Sequence, residues 1–160
     1  MIEKTFANKL RVRVCAIIVS DNSLLLLKHN SPTKKEHIWL PPGGGVNFGE
    51  TLESALTREA KEETGLIVQP SRLVWVHEYL EVPYHAIEFF FECSISGGML
   101  KLGRDPEIAE KDQMLIDLKF VTPEEADEME IYPAFLKEFV SEGCKLPGHI
   151  QHVSSKNDVL

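Results

Sequence analysis

The pattern of apolar and polar positions predicts a protein built from both strands and helices. Residues 10–20 alternate at first and then become wholly apolar, and residues 24–27 are all leucine. With Asp21 and Asn22 as the turn between them, these segments predict a β-hairpin. Further strands are predicted at residues 73–79, 86–96 and 115–121, and further helices are predicted to begin at Thr122 and at Pro133.

The longest helical pattern follows a turn that is rich in proline and glycine. Pro41 and Pro42 precede a run of glycines at 43–45, with one more at Gly49. Glycine reaches backbone angles that are closed to other residues, so this stretch predicts a shaped turn and not a flexible linker. Thr51 is the predicted N-cap of the helix, and Gly65 stands at its C′ position.

Three glutamates of this helix lie on its apolar side. At about 100° per residue, Glu63 falls at about +40° from Glu59, between the leucines at about +20° and +60°, and Glu62 falls at about −60°, beside Ala55 at about −40°. Two carboxylates about 5 Å apart repel by roughly 3 kcal/mol at an effective dielectric near 20. Arg58 alone cannot neutralise three of them. The pattern therefore indicates a hard divalent cation, because Mg²⁺ and Mn²⁺ prefer carboxylate oxygens.

The order of these residues resembles the signature of the Nudix hydrolases, of the MutT-like kind. Gly44 is followed after five residues by Glu50, and after seven more by Arg58, which opens the run REAKEETGL. The resemblance implies an α/β protein, of the α+β type, with an α/β/α sandwich around a mixed β-sheet and a catalytic loop and helix. It also implies metal-dependent hydrolysis of a nucleoside diphosphate linked to another group.

The same resemblance implies roles for individual residues. The three helix glutamates would hold the metal, Mg²⁺ with Mn²⁺ as a possible substitute, and a carbonyl oxygen of the glycine turn would add a ligand. An arginine and a further glutamate would brace the loop against the helix. The implied metal ligands are Gly43, Glu59, Glu62 and Glu63, and the implied catalytic residues are these glutamates with Arg58 and Glu50.

The general base has two candidate locations. It is either a glutamate of the helix, Glu59 or Glu63, or a carboxylate of a later polar loop, Glu110 or Asp112. We favour the helix because a helix holds its side chains in fixed positions and a loop does not.

The expected reaction releases a nucleoside monophosphate from a nucleoside di- or triphosphate derivative. We give nucleoside triphosphates a slight preference, with ADP-ribose or another nucleotide sugar as the alternative. The resemblance implies that ADP-ribose hydrolases carry a proline, and dinucleoside polyphosphate hydrolases a tyrosine, at fixed distances after the signature. Pro83 lies 17 residues past Leu66 and Tyr84 lies 18 past it, so each is one place away from the position expected for its subgroup. A non-catalytic module that senses a nucleotide is the competing class, and the intact glutamates speak against it.

Candidate substrate-binding residues lie outside the helix. Lys28, His29 and Lys35 flank the loop before the proline pair and could contact phosphates, although a solvated basic loop is the favoured interpretation. Phe48 and Tyr84 could stack on a base.

Composition narrows the partners and the compartment. The net charge of −8 argues against nucleic-acid binding and leaves a small nucleotide as the expected partner. No apolar stretch is long enough to predict a membrane helix. Three cysteines far apart in sequence predict reduced thiols and a cytoplasmic protein. We expect the protein to be either a monomer or a homodimer. The length predicts one domain, and the resemblance makes residues 1–147 a Nudix hydrolase domain. A polar, frayed tail is expected over residues 148–160.

Overall fold

Two β-sheets form the centre of the molecule, and the larger one is mixed. The computed structural model describes residues 6–30, 37–104 and 114–156. From edge to edge, the larger sheet contains β5 (Gly43–Gly45), β1 (Lys9–Ile17), β7 (Tyr84–Gly98), β6 (Leu66–Glu81) and β9 (Gln151–Lys156). Within it, β1 is parallel to β7 and β6 is parallel to β9, whereas the other two neighbouring pairs are antiparallel.

The smaller sheet is antiparallel. It contains β2 (Val19–Ser20), β3 (Ser23–Asn30), β4 (His37–Leu40) and β8 (Leu115–Val121), and β3 pairs with each of the other three. The four leucines at 24–27 are fully buried. A strand that is apolar on both faces is expected where both faces are covered, which is why β3 occupies the middle of this sheet.

Helices pack on two sides of the sheets. They are α1 (Leu52–Thr64), α2 (Pro123–Ala126) and α3 (Ala134–Ser141). The buried face of α1 belongs to one apolar cluster, and the buried residues of α2 and α3 belong to a second one. This arrangement confirms the predicted α/β/α sandwich with a mixed sheet. The first cluster includes Val14, Ala16, Ala55, Leu56 and Ala60, and the second includes Trp75, Phe90, Ala126, Leu136 and Phe139.

The predicted hairpin forms only at its tip. Asp21 and Asn22 have left-handed φ values of 48° and 58°, and they turn β2 directly back onto β3. By contrast, β1 ends at Ile17 and pairs within the larger sheet. Each residue from Val14 to Ile18 is at most 3% exposed. The wholly apolar half of the predicted strand is therefore the place where the chain passes from one sheet to the other.

Part of the C-terminal tail is a strand, which corrects the prediction that the tail is frayed. Residues 151–156 form β9, which lies parallel to β6. Trp75 Nε1 donates to Gln151 Oε1 at 2.9 Å, and Val153 packs against the core. The strand is mostly polar and residues 151, 152 and 154 are exposed, so the composition of the tail alone does not reveal it.

We expect Leu56→Ala to lower the free energy of unfolding by about 2–5 kcal/mol, because this side chain of α1 is fully buried. Leu10→Ala is the matched control, since Leu10 is 63% exposed and its truncation should cost less than about 1 kcal/mol. Urea unfolding measures both variants. Equal midpoints for the two variants would contradict the packing of α1 on the sheet.

Candidate active site

The site is built on α1, whose ends are fixed by local hydrogen bonds. Thr51 is the N-cap, and its Oγ1 accepts from the Ser54 N–H at 3.1 Å while Ser54 Oγ accepts from the Thr51 N–H at 3.0 Å. At the other end, Gly65 has a left-handed φ of 72° and donates its N–H to Lys61 O at 3.0 Å. Both predicted ends of the helix are confirmed, so the positions of its glutamates are set.

Small side chains let α1 lie close to the sheet. Ala55 and Ala60 are fully buried, together with Leu56. The helix contacts both β1 and the short glycine strand β5 at the edge of the larger sheet. Because β5 carries no side chains, carboxylates of α1 can reach the backbone of this strand.

Arg58 joins the loop to the helix. Its Nε donates to Glu50 Oε1 at 2.8 Å and its Nη2 donates to Glu50 Oε2 at 2.9 Å, so the pair is bidentate. Nη2 also donates to Gly45 O at 3.1 Å, and Nη1 donates to Glu59 Oε1 at 2.7 Å. The hydrogen bonds from Arg58, with one from the Asn47 N–H, lower the pKa of Glu50 to about 2. These are the contacts that a bracing role for Arg58 and Glu50 requires.

Two of the three helix glutamates converge on β5. The Gly43 N–H donates to Glu63 Oε2 at 2.8 Å, and a Cβ placed on Gly44 would overlap the Glu59 carboxylate. Burial raises the pKa of Glu63 to about 8. The hydrogen bond from Gly43 lowers this pKa and the negative charge of Glu59 raises it, but burial is the largest effect. Burial also raises the pKa of Glu59. Two carboxylates are therefore held close to each other in a place that disfavours negative charge.

Glu62 lies on the exposed side of the same site. Its side chain is 40% exposed, and its Oε2 is 3.5 Å from Arg58 Nη1. In the described parts of the chain, no group of three or more His, Cys, Asp or Glu side chains is arranged as a metal site. The donor set nevertheless fits a hard divalent cation in its chemistry, because carboxylate oxygens of Glu59 and Glu63 meet at a strand that leaves room for them.

The candidate bases Glu110 and Asp112 lie outside the described residues. The segment that leads towards them is attached to the end of α1. Lys101 donates its N–H to Thr64 O at 2.8 Å, and Gly103 donates its N–H to Glu63 O at 2.7 Å. The polar loop thus starts at the C-terminal end of α1.

The predicted substrate-binding residues are scattered. Lys28 lies on β3 with its Nζ 5.8 Å from the centroid of the Trp39 ring. Phe48 is fully exposed in the loop between β5 and α1. Tyr84 is the first residue of β7 and pairs with Lys9 of β1. Lys35 lies outside the described residues. Of these residues, Phe48 is the one placed in the loop of the site.

His29, the remaining candidate, is held in its neutral form. Burial, and then the positive charge of Arg13, lower the pKa of His29 to about 4. Its Nε2 atom is buried and finds no hydrogen-bond partner among the described residues. His29 therefore offers a neutral imidazole near pH 7, and not the cation that a phosphate contact would require.

A buried polar network on the larger sheet was not predicted. Arg13 Nη1 donates to Glu88 Oε1 at 2.9 Å, Glu88 Oε2 is 2.8 Å from His77 Nδ1, and His77 Nε2 is 2.7 Å from Ser155 Oγ. Burial alone would raise the pKa of Glu88, but the hydrogen bond with His77 and the charge of Arg13 outweigh it and lower that pKa. The sequence feature that could have indicated this network is a charged residue in the alternating part of each strand, Arg13 on β1 and Glu88 on β7.

One atom of this network has no partner. Arg13 Nε is buried and makes no hydrogen bond within the described residues, although 25% of the Arg13 side chain is exposed. An unpaired buried polar atom costs about 1–3 kcal/mol. Arg13 Nε and His29 Nε2 share this property.

Comparison with known proteins identifies the family. A model of the NUDIX domain matches residues 9–142. The chain belongs to the Nudix family. An ADP-ribose pyrophosphatase of Methanocaldococcus jannaschii is 42% identical to this Nudix chain over 102 residues, which are 62% of this chain and 59% of that protein. An 8-oxo-dGDP phosphatase of Mus musculus is 31% identical over 106 residues, 64% of this chain and 32% of that protein. The aligned region thus spans less than two thirds of either relative.

Solved structures agree with the fold. A Nudix hydrolase of Nitrosomonas europaea has a TM-score of 0.69 at 19% identity, with 88% of this chain and 94% of that chain covered. A MutT protein of Methanosarcina mazei has a TM-score of 0.65 at 24% identity, with 84% and 93% covered. At these identities the likeness supports the Nudix fold alone.

We expect Gly44→Ala to lower turnover by about 100-fold, because the new Cβ must displace the Glu59 carboxylate. Stability should change little, since the displaced atoms are the end of a flexible side chain. Gly97→Ala on β7 is the control, because a Cβ there meets its nearest atom at an ordinary 3.6 Å. Steady-state kinetics and thermal unfolding of both variants test this, and normal turnover in Gly44→Ala would contradict the placement of Glu59.

Proposed function

We propose that this Nudix protein hydrolyses the diphosphate bond of ADP-ribose, or of a closely similar nucleoside diphosphate sugar, with the help of Mg²⁺. The products would be a nucleoside monophosphate and a sugar phosphate. The observation that carries the proposal is the meeting of the Glu59 and Glu63 carboxylates at the glycine strand β5, beside an Arg58 locked in place by Glu50.

The metal would be held by Glu59, Glu62 and Glu63, with the Gly43 carbonyl oxygen as the further ligand that the Nudix resemblance implies. When bound, Mg²⁺ supplies positive charge for the diphosphate and lowers the pKa of a water molecule that attacks phosphorus. Mn²⁺ would bind the same oxygen ligands. The burial that raises the pKa of Glu63 to about 8 is a cost that a divalent cation would offset.

The protein's own residues orient these ligands. Arg58 engages Oε1 of Glu59 and so fixes the direction of that carboxylate towards β5. The Gly43 N–H fixes Glu63 in the same way. Each carboxylate keeps a second oxygen that can bind a cation or accept a proton. We therefore keep proton transfer with Glu59 or Glu63, and treat Glu110 and Asp112 as the alternative.

The choice of substrate comes from the relatives. The Methanocaldococcus jannaschii protein and a putative one from Bacillus subtilis are both named as ADP-ribose pyrophosphatases. The preference for nucleoside triphosphates that the sequence suggested has no support among the three relatives cited. Triphosphates therefore become the second candidate. The intact set of acidic residues around Arg58 argues against a purely nucleotide-sensing module.

Other predictions concern the membrane, the cysteines, and the location and partners of the protein. Within the described residues, no helix is both long and apolar enough to cross a membrane. Cys15, Cys93 and Cys144 are buried free cysteines. We also propose that the protein is cytoplasmic, that it is a monomer or a homodimer, and that it does not bind nucleic acid.

A substrate panel with metal control tests the function. Wild-type protein would be assayed with ADP-ribose, other nucleotide sugars, nucleoside triphosphates and 8-oxo-dGDP, with Mg²⁺, with Mn²⁺ and with EDTA. We expect ADP-ribose to be turned over fastest, with AMP and ribose 5-phosphate as products, and EDTA to abolish the reaction. Orthophosphate as the single phosphorus product released from the best substrate would contradict the proposal.

Glu62→Gln and Glu63→Gln should each lower turnover by about 10³ at saturating Mg²⁺, since each removes a ligand charge while keeping the shape of the side chain. Thermal stability should not fall, because repulsion between carboxylates is relieved. Glu53→Gln is the matched control on the exposed first turn of the same helix and should keep normal turnover. Near-normal turnover in either site variant would refute the metal assignment.

A further inference from the structure

We propose that Arg11 and Arg13 form a cationic subsite that binds one phosphate group of the substrate from the face of the larger sheet opposite α1. The inference rests on the proposed function, and it adds a contact with the substrate that the glutamates of α1 do not supply. Both arginines belong to β1, the neighbour of the glycine strand β5. The subsite holds one phosphate monoester product after the diphosphate bond is broken.

The two arginine side chains lie on the same face of the sheet. Alternate residues of a strand point to the same face, and Arg11 and Arg13 are two positions apart on β1. Val14 belongs to the apolar cluster that holds the buried face of α1, so the arginines lie on the other face. Arg13 pairs with Gly45 of β5, and Arg11 Nη2 lies 4.0 Å from a Cβ built on Gly45. The guanidinium of Arg11 therefore reaches the edge strand β5.

The space beside these side chains is open. Gly45 has no side chain, and among the described residues Arg11 Nη2 is the one atom within 4 Å of a Cβ placed there, its chain neighbours left aside. A side chain at this position would stand next to both arginines, because Gly45 lies directly opposite Arg13. The glycine thus leaves room for part of a ligand between the arginines and the edge of the sheet.

The strand β5 brings this face close to the acidic residues of α1. A Cβ on Gly44 would overlap the Glu59 carboxylate, which approaches β5 from the side of α1. Arg11 approaches the next residue, Gly45, from the opposite side. The Cα atoms of consecutive residues are about 3.8 Å apart, and all three residues of β5 are glycine. A substrate bound at Glu59 can therefore extend around this edge to Arg11.

The charges around the arginines favour an anion. Glu88 pairs with Arg13 at 2.9 Å. Within the described residues Arg11 pairs with no carboxylate, and its guanidinium carbon lies 3.9 Å from the centroid of the Phe6 ring. One paired carboxylate thus serves two guanidinium groups. Burial, and then the charge of Arg13, lower the pKa of Arg11 to about 10, so Arg11 is charged at pH 7 and a bound anion would offset the cost of burying it.

Arg13 has a hydrogen-bond donor that the described part of the protein does not use. Its Nε is buried and has no partner there, whereas buried N–H groups nearly always have one. Glu88 holds Nη1 of Arg13, and His77 Nδ1 lies 2.8 Å from Glu88 Oε2, so the orientation of the guanidinium is set before a ligand binds. Guanidinium groups match the geometry of phosphate oxygens, which makes a phosphate the anion that fits best.

Binding of the two expected products without metal tests the subsite. Calorimetric titration in EDTA would measure AMP and ribose 5-phosphate against the wild-type protein, Arg11→Gln and Arg11→Lys. We expect the wild-type protein to bind at least one of them, Arg11→Gln to weaken that binding about tenfold, and Arg11→Lys to weaken it less because the charge remains. Arg72→Gln is the matched control, because it removes a cation that pairs with Glu92 elsewhere on the same sheet, and it should bind like the wild type.

The pattern of losses in Arg11→Gln identifies the half of the substrate that is held. A loss for AMP assigns the subsite to the nucleotide, a loss for ribose 5-phosphate assigns it to the sugar phosphate, and a loss for both shows recognition of the phosphate alone. Thermal unfolding of Arg11→Gln should stay close to the wild type, since Arg11 is only half-buried.

Three results would overturn the subsite: unchanged binding of both products in Arg11→Gln, an equal loss in Arg72→Gln, or no binding of either product by the wild-type protein. Absence of ADP-ribose turnover with Mg²⁺ would instead refute the proposed function. The binding measurement requires neither metal nor turnover, so the two failures are distinguishable.

Discussion

The bidentate ion pair between Arg58 and Glu50 is the contact on which the site depends. Arg58 belongs to α1 and Glu50 to the loop before it, so the pair fixes the angle at which the chain enters the helix. The same guanidinium also reaches Gly45 of β5 and the Glu59 carboxylate. One planar group with five donors thus connects a loop, a strand and a helix, which a lysine could not do.

Features that depend on neighbours in sequence were predicted well. Thr51 and Gly65 mark the ends of α1 because capping is a local event that is decided within one turn of the helix. The unusual position of Glu59 and Glu63 on the apolar side of the helix was also visible from spacing alone. The structure adds why they can lie there: the glycines at 43–45 leave the edge of the sheet without side chains.

Features that depend on distant pairing were missed. Arg13 and Glu88 are 75 residues apart, and their ion pair exists because β1 lies parallel to β7. Likewise β9 meets β6 through Gln151 and Ser155, which have no apolar pattern to announce a strand. The prediction of a hairpin at Asp21 was wrong in part for a related reason, because an apolar run does not show which of two sheets each of its residues joins. Alternation of apolar and polar residues predicts a single strand, whereas these contacts depend on which strand lies beside it.

The final strand has a practical meaning for recombinant work on this protein. The family match ends at residue 142, whereas the larger sheet ends at β9, formed by residues 151–156. A recombinant fragment cut at the family boundary would lose β9 and so open the edge of β6 at residues 75–80, with Trp75 Nε1 and His77 Nε2 left without their partners. Exposed strand edges can recruit strands of other chains. Poor solubility of such a fragment would reflect where it was cut and would say nothing about the intact chain.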